Sequence, residues 1–84
     1  MKYFIYIAYN KTFDKFYIGQ TNNLARREFE HNNKLSKYTA KYSGDWKILY
    51  TENYNSRAEA MRREKFLKNQ KNKDFYRKLC SSVG

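Results

Sequence analysis

The sequence has 84 residues and carries 18 lysines and arginines against eight acidic residues, a net charge of +10. A chain of this length has room for one small domain only, so residues 1–84 are expected to form a single domain. One cysteine and one histidine exclude an internal disulfide, a cysteine-based zinc site and a two-histidine metal site. The excess of basic residues predicts a polyanionic partner, and the alternative is a basic protein without a nucleic-acid role.

The first half of the chain predicts a β-hairpin followed by a helix and a third strand. Residues 3–9 and 15–20 are rich in Tyr, Phe and Ile and are separated by the polar stretch NKTFD, which is typical of a hairpin. Asn22 or Asn23 can cap a helix that runs to about residue 33, with its apolar positions at Leu24, Ala25 and Phe29. Residues 34–45 are polar and basic, and a strand follows from residue 46.

The second half predicts two helices. Ser56 and Glu59 form a capping-box pattern that begins a helix running to about residue 68. A last helix follows from about residue 73, with apolar positions at Phe75, Tyr76, Leu79 and Cys80. The order ββαβαα predicts an α+β domain, a small three-stranded antiparallel sheet flanked by helices. The sequence contains no apolar run long enough to cross a membrane and no signal peptide, so we expect a cytoplasmic protein with no membrane partner.

The hairpin register decides whether its two central tyrosines share a face. Opposed residues of an antiparallel pair lie on one face, and their numbers sum to a constant. A four-residue loop over 11–14 gives a sum of 25, which sets Tyr6 opposite Gly19 and Ala8 opposite Tyr17. The register therefore predicts that both phenols lie on one face, each with a small residue opposite it and open space beside it.

Three residues on the two longer helices have the chemistry of a site. Arg27 and His31 are spaced i, i+4 and point from one side of the first helix; the alternative is an ordinary surface arginine and a partly buried histidine. Glu64 falls between the apolar positions Ala60, Met61 and Leu67, where a carboxylate is costly unless a cation or hydrogen-bond donors meet it. The alternative is a helical ion pair with Lys68. With one histidine and one cysteine available, a metal would be a hard cation held by oxygen atoms.

Basic residues surround these positions and predict contacts with the phosphates of a nucleic acid. Such contacts position a nucleic acid without reading its sequence. The predicted nucleic-acid-binding residues are Arg26, Arg62, Arg63, Lys65, Lys68, Lys71 and Lys73, and Arg77 and Lys78 extend the same basic ridge.

Four segments in order, FIYI, FYIG, NNLARREFEH and AEAMRREKFLK, resemble the GIY-YIG nuclease domain over residues 3–79. The likeness is to small stand-alone bacterial members, relatives of the N-terminal domain of the excision-repair protein UvrC. The resemblance implies hydrolysis of DNA phosphodiesters with one divalent cation, Mg²⁺ or Mn²⁺, and by that likeness a place in DNA repair. It matches Tyr6 and Tyr17 to the two motif tyrosines, Arg27 to the motif arginine and Glu64 to the metal-binding glutamate. His31 falls where the family has histidine or tyrosine.

The resemblance also implies roles for these residues. Tyr6 would activate water, Tyr17 and His31 would position water or phosphate, and Gly19 would keep the site compact. Phe4 replaces the glycine that gives the first motif its name, and the asparagine of some members has no firm equivalent among Asn69 and Asn72.

The sequence leaves more than one function open. The larger relatives add a separate DNA-binding domain, and we expect none in this 84-residue sequence. We therefore expect structure-selective or weakly sequence-selective cleavage. The alternatives are a non-catalytic nucleic-acid-binding module on the same scaffold and a basic protein-interaction domain. We expect no small-molecule cofactor, and a monomer as the default state.

Overall fold

The computed structural model describes residues 2–35 and 39–81, and its elements follow the predicted order ββαβαα. Part of the segment 34–45 lies outside the described residues, and a short 3₁₀ turn, which the sequence did not predict, is present at Thr39–Lys41. The strands are β1 (Tyr3–Asn10), β2 (Lys15–Thr21) and β3 (Trp46–Tyr54), and the helices are α1 (Leu24–Asn32), α2 (Arg57–Gln70) and α3 (Lys73–Ser81).

The sheet is antiparallel, with β1 in the centre and β2 and β3 at the two edges. The register of β1 against β2 is the predicted one, with Tyr6 opposite Gly19 and Ala8 opposite Tyr17. The pairing of β1 with β3 shifts by one residue between Ile7 and Ala8, which is a β-bulge. Among the described residues, no strand lies on the outer side of β2, so β2 forms a free edge of the sheet along its whole length.

Each face of the sheet packs against different helices. On one face, Ile5, Ile7 and Ile18 form the main hydrophobic core with residues of α2 and α3, namely Ala60, Leu67 and Tyr76. The other face carries a second cluster of Tyr6, Ala8 and Trp46, with Tyr17 and Leu24 packed against it. The sheet therefore has an apolar face, which stabilises the fold, and a second face that contains Tyr6 and Tyr17.

Helix α1 does not present the apolar side that its sequence predicts. Ala25 is exposed and the Phe29 side chain is 62% exposed, whereas Arg27 and Glu28 are half-buried and His31 is buried. The backbone N–H of Ile48 on β3 donates to Glu28 Oε2 at 2.9 Å, so a carboxylate joins the helix to the sheet. The polar side chains of α1 turn inward because hydrogen-bond partners on the sheet compensate for their lost water.

Helix α2 begins as predicted but without the predicted capping box. Ser56 is the N-cap residue in extended backbone conformation, yet its side chain makes no capping hydrogen bond. Ala60 and Leu67 are buried, and Met61, expected on the apolar stripe, is 50% exposed. In the part of the chain that the structure describes, none of the helices is both long enough and apolar enough to span a bilayer.

Candidate active site

Tyr6 and Tyr17 meet on the face of the sheet that packs against α1. Their ring centroids are 6.1 Å apart, with the rings tilted by 38°. Tyr6 is fully buried, whereas Tyr17 is half-buried and lines a cleft of about 580 Å³ together with Lys15, Lys68 and Lys71. Of the two tyrosines, Tyr17 is therefore the more exposed.

Gly19 provides the space that the Tyr6 ring occupies. A Cβ atom at residue 19 would lie 2.6 Å from Tyr6 Oη and 2.8 Å from Tyr6 Cζ, closer than atoms can approach. The space opposite Tyr6, which the sequence predicts to be open, is filled by the Tyr6 side chain itself.

Helix α1 delivers Arg27 to both phenols. The helix starts at Asn23, whose side chain accepts a hydrogen bond from the backbone N–H of Arg26 at 3.0 Å. One turn further, Arg27 Nε donates to Tyr6 Oη at 3.0 Å and Arg27 Nη2 donates to Tyr17 Oη at 3.4 Å. The third guanidinium nitrogen, Nη1, forms an ion pair with Glu30 at 3.0 Å. One planar fork of donors thus joins both tyrosines to a carboxylate.

His31 lies behind Tyr6 and continues the hydrogen-bond network. Its Nε2 is 2.8 Å from Tyr6 Oη and its Nδ1 is 2.9 Å from Thr39 Oγ1. Burial, together with the positive charge of Arg27, lowers the pKa of His31 to about 4, so the ring is neutral at pH 7. Because Tyr6 Oη accepts from Arg27, its own hydrogen finds an acceptor in His31 Nε2, which leaves the ring hydrogen on Nδ1, facing Thr39.

Tyr6 is not an ionised phenol in this arrangement. Burial raises its pKa well above the usual value, and this effect exceeds the lowering by the hydrogen bond and charge of Arg27. The negative charge of Glu64 also contributes to the increase, so Glu64 is close enough to act on Tyr6 electrostatically. A further positive charge near the hydroxyl would be needed to favour the phenolate.

Glu64 approaches the same strand from the other side of the sheet. It lies on α2, and its carboxylate Oε1 accepts a hydrogen bond from Gln20 Nε2 at 3.3 Å. Oε2 is 3.1 Å from Lys68 Nζ, and the Glu64 side chain is 18% exposed. The helical pair with Lys68 therefore forms. The phenols and the carboxylate lie on opposite faces of the sheet, beside the neighbouring β2 residues Gly19 and Gln20.

The predicted nucleic-acid-binding residues differ in their surroundings. Arg26 is exposed and also donates to Asn22 Oδ1 at 3.2 Å. The Arg63 guanidinium binds Glu52 through two nitrogens, at 2.9 and 3.0 Å, and Glu52 also accepts from Tyr50 and Tyr54. The remaining members are all exposed: Arg62, Lys65, Lys68, Lys71 and Lys73. Of these, Lys68 forms an ion pair with Glu64, and Lys73 forms one with Asp14.

Four residues near the site were not predicted from the sequence. Gln20 and Arg57 line a cleft of about 350 Å³ that also contains Arg26 and Arg27. Lys15 lines the cleft beside Tyr17 at the other end of β2, and Thr39 binds His31. Of these four residues, Gln20 had a sequence signal, because it directly follows the second tyrosine motif. A polar residue at that position of the strand is a candidate for the site.

The oxygen atoms at the β2 edge suit a hard cation. Among the described residues, no group of three or more His, Cys, Asp or Glu side chains converges to form an all-protein cage. Mg²⁺ typically binds through one or two protein oxygens and completes its shell with water and substrate phosphate. The carboxylate of Glu64 beside the side-chain amide of Gln20 fits this requirement.

Comparison with known proteins identifies the family and the fold. Residues 2–78 match the GIY-YIG catalytic domain. A UPF0213 protein of Limosilactobacillus reuteri is 37% identical over 71 residues, which span 82% of this chain and 73% of the relative. The solution NMR structure of a UPF0213 protein of Bacillus halodurans superposes with a TM-score of 0.59 at 30% identity, covering 100% of this chain and 87% of the other. This chain therefore belongs to the GIY-YIG catalytic domain family, a family of nucleases.

Proposed function

We propose that this protein is an endonuclease that hydrolyses DNA phosphodiester bonds with a divalent cation, Mg²⁺ or Mn²⁺. The observation that carries the proposal is the network in which Arg27 joins Tyr6 and Tyr17, at a strand edge that Glu64 approaches from the other face. One small domain then both holds the substrate and cleaves it. The expected cytoplasmic location and monomeric state stay predictions.

Arg27 is the proposed ligand of the scissile phosphate. Its guanidinium lines the cleft at one end of β2, and its Nη1 is bound by Glu30, which lines the same cleft. The Glu30 carboxylate occupies the place on the Arg27 guanidinium that a phosphate oxygen would take, and an incoming phosphate would displace it there. Arg27 then neutralises the charge that develops on the phosphate during hydrolysis.

The two phenols are proposed to divide their work according to exposure. Tyr17 is half-buried, and its hydroxyl, which accepts from Arg27, would contact the attacking water or the phosphate. Tyr6 is buried, and its hydroxyl hydrogen is directed at the neutral His31, so this pair would hold the Arg27 guanidinium in place and would not contact the substrate. This assignment gives Tyr17 more direct contact with the substrate than the family resemblance does, because that resemblance assigns the activation of water to Tyr6.

Glu64, as the carboxylate at the β2 edge, is the proposed ligand of the divalent cation. The cation, when bound, polarises the scissile phosphate and lowers the pKa of a coordinated water. Gln20 adjoins this carboxylate and keeps it directed at the strand edge through its 3.3 Å hydrogen bond.

Basic residues at both ends of β2 support a path for the DNA backbone along this edge. Arg26 and Arg57 line the cleft at the C-terminal end of the strand, and Lys15 and Lys71 line the cleft at its start. Contacts of this kind carry no base information, which supports structure-selective or weakly sequence-selective cleavage. Arg63 is left out of the proposed set because Glu52 already occupies its guanidinium.

Cleavage of plasmid and branched DNA by purified protein tests the proposal. We expect nicking that requires Mg²⁺ or Mn²⁺ and that falls by at least about 100-fold in Glu64→Gln and in Arg27→Ala. Glu59→Gln is the matched control, since it removes the same charge from an exposed position of the same helix. Salt-sensitive binding without cleavage under any divalent ion would support the non-catalytic binding module instead.

A further inference from the structure

Both oxygens of the Glu64 carboxylate are engaged by side chains of this chain. Gln20 Nε2 is 3.3 Å from Oε1, and Lys68 Nζ is 3.1 Å from Oε2. Gln20 reaches the carboxylate from the edge strand and Lys68 reaches it from one helical turn further along α2. Among the described residues, the side chains that directly contact the Glu64 carboxylate therefore include one amide and one positive charge.

We propose that Gln20 is a second oxygen ligand of the divalent cation and that Lys68 is the internal cation which the metal replaces. The proposal rests on the function proposed above, in which Glu64 binds that metal. It adds a residue that the sequence motifs do not indicate, and it links metal binding to the release of a lysine.

The distance between the two side chains suits two ligands of one cation. The nitrogen and oxygen of an amide are similar in size, so a half-turn about the last bond of Gln20 exchanges Nε2 for Oε1 at nearly the same position. With metal–oxygen distances near 2.1 Å, neighbouring ligands of octahedral Mg²⁺ lie about 3 Å apart. The observed separation of 3.3 Å is close to that value. Two oxygens at this distance repel each other unless a cation lies between them.

The lysine supplies the charge that the carboxylate lacks without metal. Lys68 is 52% exposed and carries its ammonium on a flexible stem, so it can leave the pair at small cost. Lys68 also lines the cleft that contains Tyr17 and Lys71. A cation on Glu64 would therefore free an ammonium group beside the proposed path of the DNA backbone, and metal and DNA would each favour the binding of the other.

The position is open to an ion that keeps part of its water shell. Glu64 lines a cleft of about 350 Å³ with Met61, Lys65, Lys68 and Asn69. Gln20 lines the separate cleft that contains Arg27. The contact between Gln20 and Glu64 thus has solvent-filled space on both sides, which leaves room for water and for a substrate phosphate.

Titration of DNA-free, ¹³C,¹⁵N-labelled protein with MgCl₂ tests the ligand assignment directly. We expect the side-chain carbonyl resonances of Gln20 and Glu64 to move together with one midpoint, because both oxygens bind the same ion. Movement of Glu64 with a stationary Gln20 would overturn the role of Gln20 and leave the proposed function intact. A stationary Glu64 would overturn both the metal assignment and this proposal.

Calorimetric Mg²⁺ affinities of single variants test the two roles separately. Gln20→Met should weaken binding about tenfold or more, and Gln20→Glu, which retains an oxygen, should restore it. Lys68→Met should tighten binding about two- to threefold, because the competing ion pair is lost. Lys65→Met is the matched control from the same cleft and should change the affinity less than Lys68→Met does. Equal effects of the two lysine variants would refute the exchange, and unweakened binding by Gln20→Met would refute the ligand.

Discussion

Replacing Gly19 with alanine should disturb the site by displacing the Tyr6 hydroxyl. The new methyl carbon would lie 2.6 Å from Tyr6 Oη and 3.0 Å from Tyr17 Cε2, and ordinary contacts begin near 3.4 Å. The Tyr6 hydroxyl must therefore move away by about 0.8 Å, the difference between the ordinary contact distance of 3.4 Å and the 2.6 Å that separates it from the new carbon. Because Tyr6 is fully buried, no solvent-filled space is available to receive the displaced ring.

The expected cost follows from the contacts that this movement breaks. Tyr6 Oη is held by His31 at 2.8 Å and by Arg27 at 3.0 Å, and a shift of this size takes at least one of them beyond hydrogen-bonding distance. Overpacking of a core costs about 1–3 kcal/mol, and a lost hydrogen bond adds to that cost. We expect the free energy of unfolding to fall by about 2–3 kcal/mol, which lowers Tm by roughly 10–20 °C in a domain of this size.

Urea denaturation of four proteins provides the measurement. In a Tyr6→Leu background the clash with the phenol is gone, so Gly19→Ala should there cost less than about 1 kcal/mol. The two substitutions should therefore show a coupling energy of about 1 kcal/mol or more. Strictly additive costs, or a Gly19→Ala protein as stable as the wild type, would refute the close packing of Tyr6 over Gly19.

Two further predictions concern neighbouring arginines and the buried histidine. Arg63→Ala should lower the free energy of unfolding by about 1–3 kcal/mol because it removes the positive charge bound to the half-buried Glu52 carboxylate. Arg62→Ala should leave stability unchanged and flatten the salt dependence of DNA binding, and the same response in both variants would contradict this division. His31, with a pKa of about 4 against an ordinary 6.5, takes up its proton in the unfolded chain first, so stability should be complete above about pH 6.5 and fall toward pH 4. His31→Asn should remove about 1–2 kcal/mol of that pH dependence in urea titrations at pH 7 and pH 4.5, and an NMR midpoint near 6.5 would contradict the prediction.

The hairpin and the order of elements could be predicted because they depend on local patterns. The loop length alone determined the register that brings Tyr6 and Tyr17 to one face, and the structure has that register. The same kind of local rule limited the N-cap of α1 to Asn22 or Asn23, and the structure has it at Asn23. Such features depend on a few neighbouring residues, so a single sequence contains them in full.

The inward side of α1 could not be predicted from hydrophobicity. A pattern of apolar positions selects Ala25 and Phe29, and the structure leaves both exposed. Arg27 and His31 turn inward because their partners lie on distant parts of the chain, Tyr6 on β1 and Thr39 in a 3₁₀ turn. Burial of these polar groups depends on tertiary hydrogen bonds, which have no local sequence signature.

The place of Glu64 illustrates the same limit. Its spacing on α2 indicated an inward-facing carboxylate, and the structure has it half-buried with two partners. That one of these partners is Gln20 depends on how α2 crosses the edge of β2. The capping box at Ser56 is the opposite case, because a local pattern was present and the hydrogen bond of the serine side chain did not form.

The free edge of β2 has a consequence for how copies of this protein behave together. An exposed edge strand offers its backbone groups to the edge of another sheet, and positive side chains beside it oppose that pairing. Lys15, Lys68 and Lys71 flank this edge, and the net charge of +10 acts in the same direction. A polyanion that neutralises these lysines also removes the repulsion between copies. Self-association is therefore expected to be strongest near charge balance with the polyanion, and weakest when either component is in large excess.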